Sequence, residues 1–190
     1  FWASVTQHSK ELLELLASTP ITIEEWFKWR SVLREDCQAS LVEKGFATLF
    51  MNRTNRSGIL KAGVIGGKSQ DGAYKLDARF KKNVIAARIV EIAKRSKDIT
   101  VYSEDSLALL KRCKEFLPKE SLIYLDPPYY VKGKGLYRNY YEHDDHVAIA
   151  KTIKAKSFKR HWIVSYDNAD EIRAMYQLVS TKTYGLNYTA

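Results

Sequence analysis

The stretch Leu122-Ile123-Tyr124-Leu125-Asp126-Pro127-Pro128-Tyr129 decides the fold. Four apolar residues in a row, closed by turn residues, make a short buried strand. The strand must stop at Asp126, because neither proline has a backbone N–H to give to a ladder. The two prolines fix a stiff turn at the carboxyl edge of the sheet instead. Similar apolar runs lie on both sides, so residues 99–102 and 162–165 are expected strands. Helical patterns fill the intervals, at 106–116 and 143–156, with another at 169–176 and a β-hairpin expected over 178–188. Strands separated by helices predict an α/β fold, a mostly parallel sheet with helices on both faces. Ligands of such sheets sit beyond the carboxyl ends of the strands, where residues 126–129 fall.

Toward the N-terminus, Leu12, Leu13, Leu15 and Leu16 recur among polar residues, giving an amphipathic helix over 7–17 stopped near Pro20. Thr22 can cap a second helix with Glu25 at the capping-box position. That helix runs to about residue 35 and carries Trp26, Phe27 and Trp29 as core aromatics. Residues 44–75 are rich in Gly, Asn, Arg, Ser and Lys, and read as irregular loop with short strands. Long loops in compact domains are usually functional or disordered. A helix is expected again over 77–96, with Phe80, Val84, Ile85, Ile89 and Ile92 on one side and mostly Lys and Arg on the other.

The 190 residues suffice for one domain with a real core and a smaller inserted lobe. With 45% hydrophobic and 28% charged residues, composition is that of a globular protein. No apolar run approaches the ~20 residues of a membrane span, and no signal-peptide pattern opens the chain. The formal net charge of +9 fits a polyanionic partner. Cys37 and Cys113 share no metal-type spacing, so reduced thiols in a cytosolic protein are expected. His143 and His146 stand one turn apart beside Asp144 and Asp145, but acidic residues suit a helix start, and no metal site is expected.

The proline corner presents a carboxylate, two carbonyls without paired amides and an aromatic ring to the ligand crevice. This set can activate an amine on a heteroaromatic ring, a poor nucleophile because its lone pair is delocalised. Asp126 and the Pro127 carbonyl would accept from its two N–H groups and localise the pair, while Tyr129 stacks on the ring. A methyl donor in line, at ~3–3.5 Å, would complete the reaction without metal or covalent intermediate. The plainer alternative is a turn with Asp126 as a local cap. Tyr166 and Asp167, at the same sheet edge, are placed to shape the pocket.

Asp126-Pro-Pro-Tyr129 resembles motif IV of amino-methyltransferases. Its continuation, Tyr130-Val-Lys-Gly-Lys-Gly-Leu-Tyr137 with Tyr140-Tyr141 and His143-Asp-Asp-His146, resembles the D12 class of N6-adenine DNA methyltransferases. So do Asn52-Arg-Thr-Asn-Arg-Ser-Gly58, Asp77-Ala-Arg-Phe80, Ser165-Tyr-Asp-Asn168 and Leu186-Asn-Tyr188. The resemblance implies a Rossmann-like methyltransferase fold that uses S-adenosylmethionine. It divides the chain into a helical part (1–43), an inserted target-recognition region (44–76) and a catalytic core (77–190). Asp126, Pro127, Pro128 and Tyr129 would form the catalytic motif and hold a flipped adenine, with Asp126 also facing the donor. Asp105 matches the acidic residue that meets the donor's adenine moiety, although Ser106 stands where an aromatic is common. Asp105 is equally placed to cap a helix, and both roles can hold at once.

The family's Gly-rich donor turn has no counterpart in the sequence, and an upstream segment of a few dozen residues is expected to carry it. Double-stranded DNA is the expected partner, and a cognate restriction enzyme belongs to the same expectation, as does a bacterial or phage-encoded cytoplasmic protein. Asn52, Arg53, Asn55, Arg56 and Lys61, with Lys68, are the candidate DNA surface, against the alternative of a solvated basic loop. Lys132, Lys134 and Arg138 follow the corner in a Gly-containing segment that either closes over the base, grips the backbone or is plain surface loop. Other outcomes stay open: transfer to cytosine N4, an RNA base or a protein glutamine, or a non-catalytic DNA-binding module without a donor site.

Overall fold

The computed structural model describes residues 1–34, 37–131 and 140–185. The chain forms two compact units, Phe1–Tyr102 and Ser103–Thr189.

The first unit is helical, with α1 (Trp2–Gln7), α2 (Ser9–Ser18), α3 (Ile23–Val32), α4 (Leu41–Thr54) and α5 (Lys82–Lys94). The helix expected over 7–17 is α2, and α1 precedes it across a break at His8, which leaves the helical region at φ −138°. Thr22 caps α3 as anticipated, accepting from the Glu25 N–H at 3.3 Å. Trp26 and Trp29 are buried, whereas Phe27 is half-exposed.

The largest departure is α4, which occupies residues expected to be irregular; the irregular stretch begins only at Asn55. Gly45, Phe46, Ala47, Leu49, Phe50 and Met51 are all buried, so α4 is apolar nearly all round and shows no one-sided periodicity. It packs centrally, against α1, α2 and α3. A Cβ at Gly45 would fall 2.0 Å from Ser4 Oγ, so glycine is what lets α1 and α4 approach. The start of α4 was legible after all: Ser40 and Glu43 form a reciprocal capping box. Trp29, Phe46, Phe50 and Phe80 stack in sequence, with centroids 4.7, 5.9 and 5.2 Å apart. The Lys82 ammonium caps the far end of α2, donating to the carbonyls of Ala17 (2.9 Å) and Thr19 (2.6 Å), where the helix dipole favours a cation.

The second unit holds α6 (Ser106–Arg112), β1 (Leu122–Leu125), α7 (His143–Lys154), β2 (His161–Val164) and α8 (Asp170–Met175). A 3-10 turn, Cys113–Glu115, continues α6 and accounts for the longer helix expected there. Strands β1 and β2 pair in parallel, Leu122 with His161 through Leu125 with Val164. A parallel pair needs a long crossover, and α7 lies in it. Ile123, Leu125, Trp162 and Val164 pack on Leu110, Ile149, Ile153, Ile172 and Tyr176 from the three helices. Leu122, Tyr124 and Ile163, on alternate positions, are exposed.

The mixed α/β character and the parallel pairing agree with expectation. The wider sheet with helices on both faces does not form among the described residues, where the sheet has two strands. Residues 99–102 are not part of a strand among the described residues, since an apolar run does not by itself specify the strand it pairs with. Residues 178–185 form no strand either; Leu178 takes φ 65° and is fully exposed. Residues 186–188 of the expected hairpin lie outside the described residues.

Candidate active site

The ends of β1 and β2 build the site together. Parallel register brings Ser165, just past Val164, level with Asp126, just past Leu125. The Ser165 N–H continues the ladder to the Leu125 carbonyl at 3.0 Å. The Ser165 hydroxyl donates to Asp126 Oδ1 at 2.7 Å, and the Tyr124 hydroxyl lies 3.0 Å from Ser165 Oγ. Asp126 is exposed, while Pro127, Pro128 and Tyr129 are half-buried. The corner thus leaves the sheet with its carboxylate at the surface.

Two residues further, Asp167 grips the chain that leaves the corner. Its Oδ1 accepts the Tyr130 N–H at 2.8 Å and its Oδ2 the Val131 N–H at 2.9 Å. Those donors have no ladder to join, because the prolines ended it, and a carboxylate with two acceptor oxygens serves both. Asp167 had been read as shaping the pocket. The clamp itself was not foreseen, although the i, i+2 spacing of Ser165 and Asp167 after a strand puts both on one side of an extended segment.

Beneath the corner, His146 is 1% exposed, with the rings of Tyr130, Tyr141 and Tyr166 at 5.3, 5.4 and 5.4 Å. Its Nδ1 bonds the Tyr166 hydroxyl at 2.9 Å. Burial holds the Tyr166 phenol far above its ordinary range and pushes Tyr176 up to about 12, so both stay protonated. His143 Nδ1 bonds the Tyr130 hydroxyl at 2.9 Å, and Ser106 Oγ bonds the Tyr141 hydroxyl. Asp145 caps α7, accepting from the Glu142 N–H at 2.9 Å. Among the described residues, no group of three or more His, Cys, Asp or Glu side chains could hold a metal ion.

Burial lowers the His146 pKa below its ordinary 6.5, against the raising effect of Asp145, Asp167 and a bond to the Tyr141 backbone; His143 adds to the lowering. The unfolded chain therefore takes up this proton first as pH falls, and the associated stability is complete above about pH 6.5 and declines below it. Urea midpoints of the wild type should fall more steeply from pH 6.5 to 5 than those of His146→Gln. Parallel curves would mean that burial costs the imidazolium nothing.

Asp105 caps α6, its Oδ1 accepting the Ala108 N–H at 2.9 Å, and it is exposed. In the first unit the candidate DNA residues separate. Asn55 is fully buried: its Oδ1 accepts from Trp26 Nε1 at 2.7 Å and its Nδ2 donates to the Ile59 and Leu60 carbonyls at 3.0 Å. These bonds hold the loop to α3, so Asn55 belongs to the fold and is not presented to a ligand. Asn52 is half-buried and donates to the Gly58 carbonyl at 3.0 Å. Arg53 is half-buried, with its Nε shielded from solvent. Arg56 is exposed in the 3-10 turn Arg56–Gly58, where Ser57 and Gly58 take φ 55° and 71°. Lys61 and Lys68 are exposed, the latter 5.7 Å above the Phe27 ring. Lys132, Lys134 and Arg138 lie outside the described residues.

The D12 class N6 adenine-specific DNA methyltransferase model matches residues 10–189, nearly the whole chain. The chain belongs to this family, and is accordingly an adenine-specific DNA methyltransferase. No curated protein matches it. No helix among the described residues is long and apolar enough to cross a membrane.

Proposed function

We propose that the chain transfers a methyl group from S-adenosylmethionine to N6 of an adenine flipped out of duplex DNA, in one direct step at the Asp126–Tyr129 corner. The observation that carries this is the exposed Asp126 carboxylate, with one oxygen already bonded by Ser165 at 2.7 Å and the other left to accept. Asp126 and the Pro127 carbonyl would take the two N–H groups of the adenine amine and localise its lone pair. Tyr129 would stack on the ring. Flipping costs a few kcal/mol of unstacking and unpairing, which protein contacts to base and backbone must offset.

The donor supplies an electrophilic methyl group when bound. The residues present fit its adenine end: Asp105 spends Oδ1 on the α6 cap and keeps Oδ2 as an acceptor for an exocyclic amine. A Rossmann-like core around the β1–β2 pair is part of this reading, on the strength of family membership. So is a target-recognition role for residues 44–76.

DNA contact is assigned to Arg56, Lys61 and Lys68, three of the exposed cations of that region, and, on the sequence alone, to Lys132, Lys134 and Arg138. Replacing Arg56 and Lys61 with alanine should reduce the slope of log K against log salt by about two units, one per lost phosphate contact. Anisotropy titrations of a labelled duplex at several KCl concentrations measure it, and an unchanged slope removes this turn from the interface. The reading as a whole is tested by incubating the protein with methyl-labelled donor and duplex DNA, then mapping the modified base. Label on adenine N6 is expected; label on cytosine, RNA or protein, or none, would reject it.

A further inference from the structure

We infer that Ser165 is a positioning residue for the Asp126 carboxylate and fixes the plane in which its free oxygen meets the substrate amine. This rests on the proposal that Asp126 accepts from that amine. An ionised carboxylate can only accept, so the single Ser165 hydroxyl proton goes to Asp126 Oδ1 across 2.7 Å. With its proton spent, Ser165 Oγ can only accept from Tyr124, whose hydroxyl lies 3.0 Å away. The chain of bonds therefore has one direction, from Tyr124 through Ser165 to Asp126.

The hydroxyl is delivered by backbone register. Ser165 follows Val164, the partner of Leu125, and its own N–H bonds the Leu125 carbonyl. The terminal torsion of an aspartate is broad, so an unheld carboxylate turns its plane over a wide range. Holding Oδ1 removes that freedom before substrate arrives and leaves Oδ2 as the working acceptor. An acceptor oriented in advance raises the rate of the chemical step, since misplacement of about 1 Å already costs around a hundredfold. Ser165 touches neither base nor donor in this scheme and acts through Asp126.

The test compares Ser165→Ala, Ser165→Thr and Tyr124→Phe in the full chain, with single-turnover methyl transfer and DNA affinity measured separately. Ser165→Ala should slow transfer about 10- to 100-fold, with the DNA Kd within about twofold of wild type. Ser165→Thr keeps the hydroxyl and should return the rate to within about threefold, whereas Tyr124→Phe should slow it about two- to fivefold. Ser165→Ala transferring at the wild-type rate, or losing only DNA affinity, overturns the inference. So does Ser165→Thr as slow as Ser165→Ala, which would trace the effect to packing. Mapping the wild-type product keeps the two ideas separate: label on an amine other than adenine N6 rejects the adenine reading, and the same rate comparison on that amine still decides the part played by Ser165.

Discussion

Asp126→Ala should lower the single-turnover rate of methyl transfer about a thousandfold or more, the scale seen when a preorganised group facing developing charge is removed. The amine of adenine then has only the Pro127 carbonyl to accept from it, and its lone pair stays in the ring. DNA affinity should change little, because the substitution alters none of the cations assigned to phosphate contact. Folding should change little too: Asp126 is exposed, and among the described residues its side chain bonds Ser165 alone, so the cost should stay within about 1 kcal/mol. Labelled-donor kinetics beside anisotropy titration separates these quantities. Near-normal transfer by the variant would remove Asp126 from the chemistry.

The second large effect is expected from Asp167→Asn, a change of almost no volume. The carboxylate accepts two backbone donors, the N–H groups of Tyr130 and Val131. An amide has one oxygen, so one of these donors would face the –NH2 group instead. Hydrogen bonds to charged groups contribute about 1.5–3 kcal/mol each, and the segment after the corner would lose roughly one of them. Transfer should fall about a hundredfold through displacement of Tyr129 and the Pro127 carbonyl. The melting temperature should drop by several degrees at most, as expected for about 1–2 kcal/mol. An Asp167→Asn enzyme with wild-type kinetics and stability would show that the two bonds do not set the position of the corner.

Some elements could be read directly from the chain and others could not, for physical reasons. The bounds of strand β1 were legible residue for residue, because an apolar run met two prolines that no central ladder accepts, but its burial was not, since Leu122 and Tyr124 are exposed. The role proposed for Asp126 draws on the same cause: proline limits both the path of the backbone and its donors. Helix α4 was not legible, since its apolar residues spread round most of the helix and leave only a narrow polar face to mark its period. Residues 99–102 illustrate the converse, a strand-like composition that forms no strand among the described residues. Asn55 appeared to be a polar residue in a basic loop, and only the fold placed the Trp26 indole against it. The bond from Ser165 to Asp126 spans 39 positions and exists because of the parallel register, which no local pattern encodes.

Asn55 also governs what this loop can become. The chain leaves at Asn55 and returns at Val64, where the Arg56 N–H meets the Gly63 carbonyl at 3.0 Å and the Ile65 N–H meets the Thr54 carbonyl at 2.8 Å. Departure and return are thus pinned by backbone bonds and one buried amide, and do not depend on the charged side chains in between. The intervening residues form an exchangeable cassette, and lengthening it costs only about 0.6 kcal/mol per doubling of the loop. Were this turn to meet DNA as proposed, new preferences for neighbouring bases could be tried there one loop at a time.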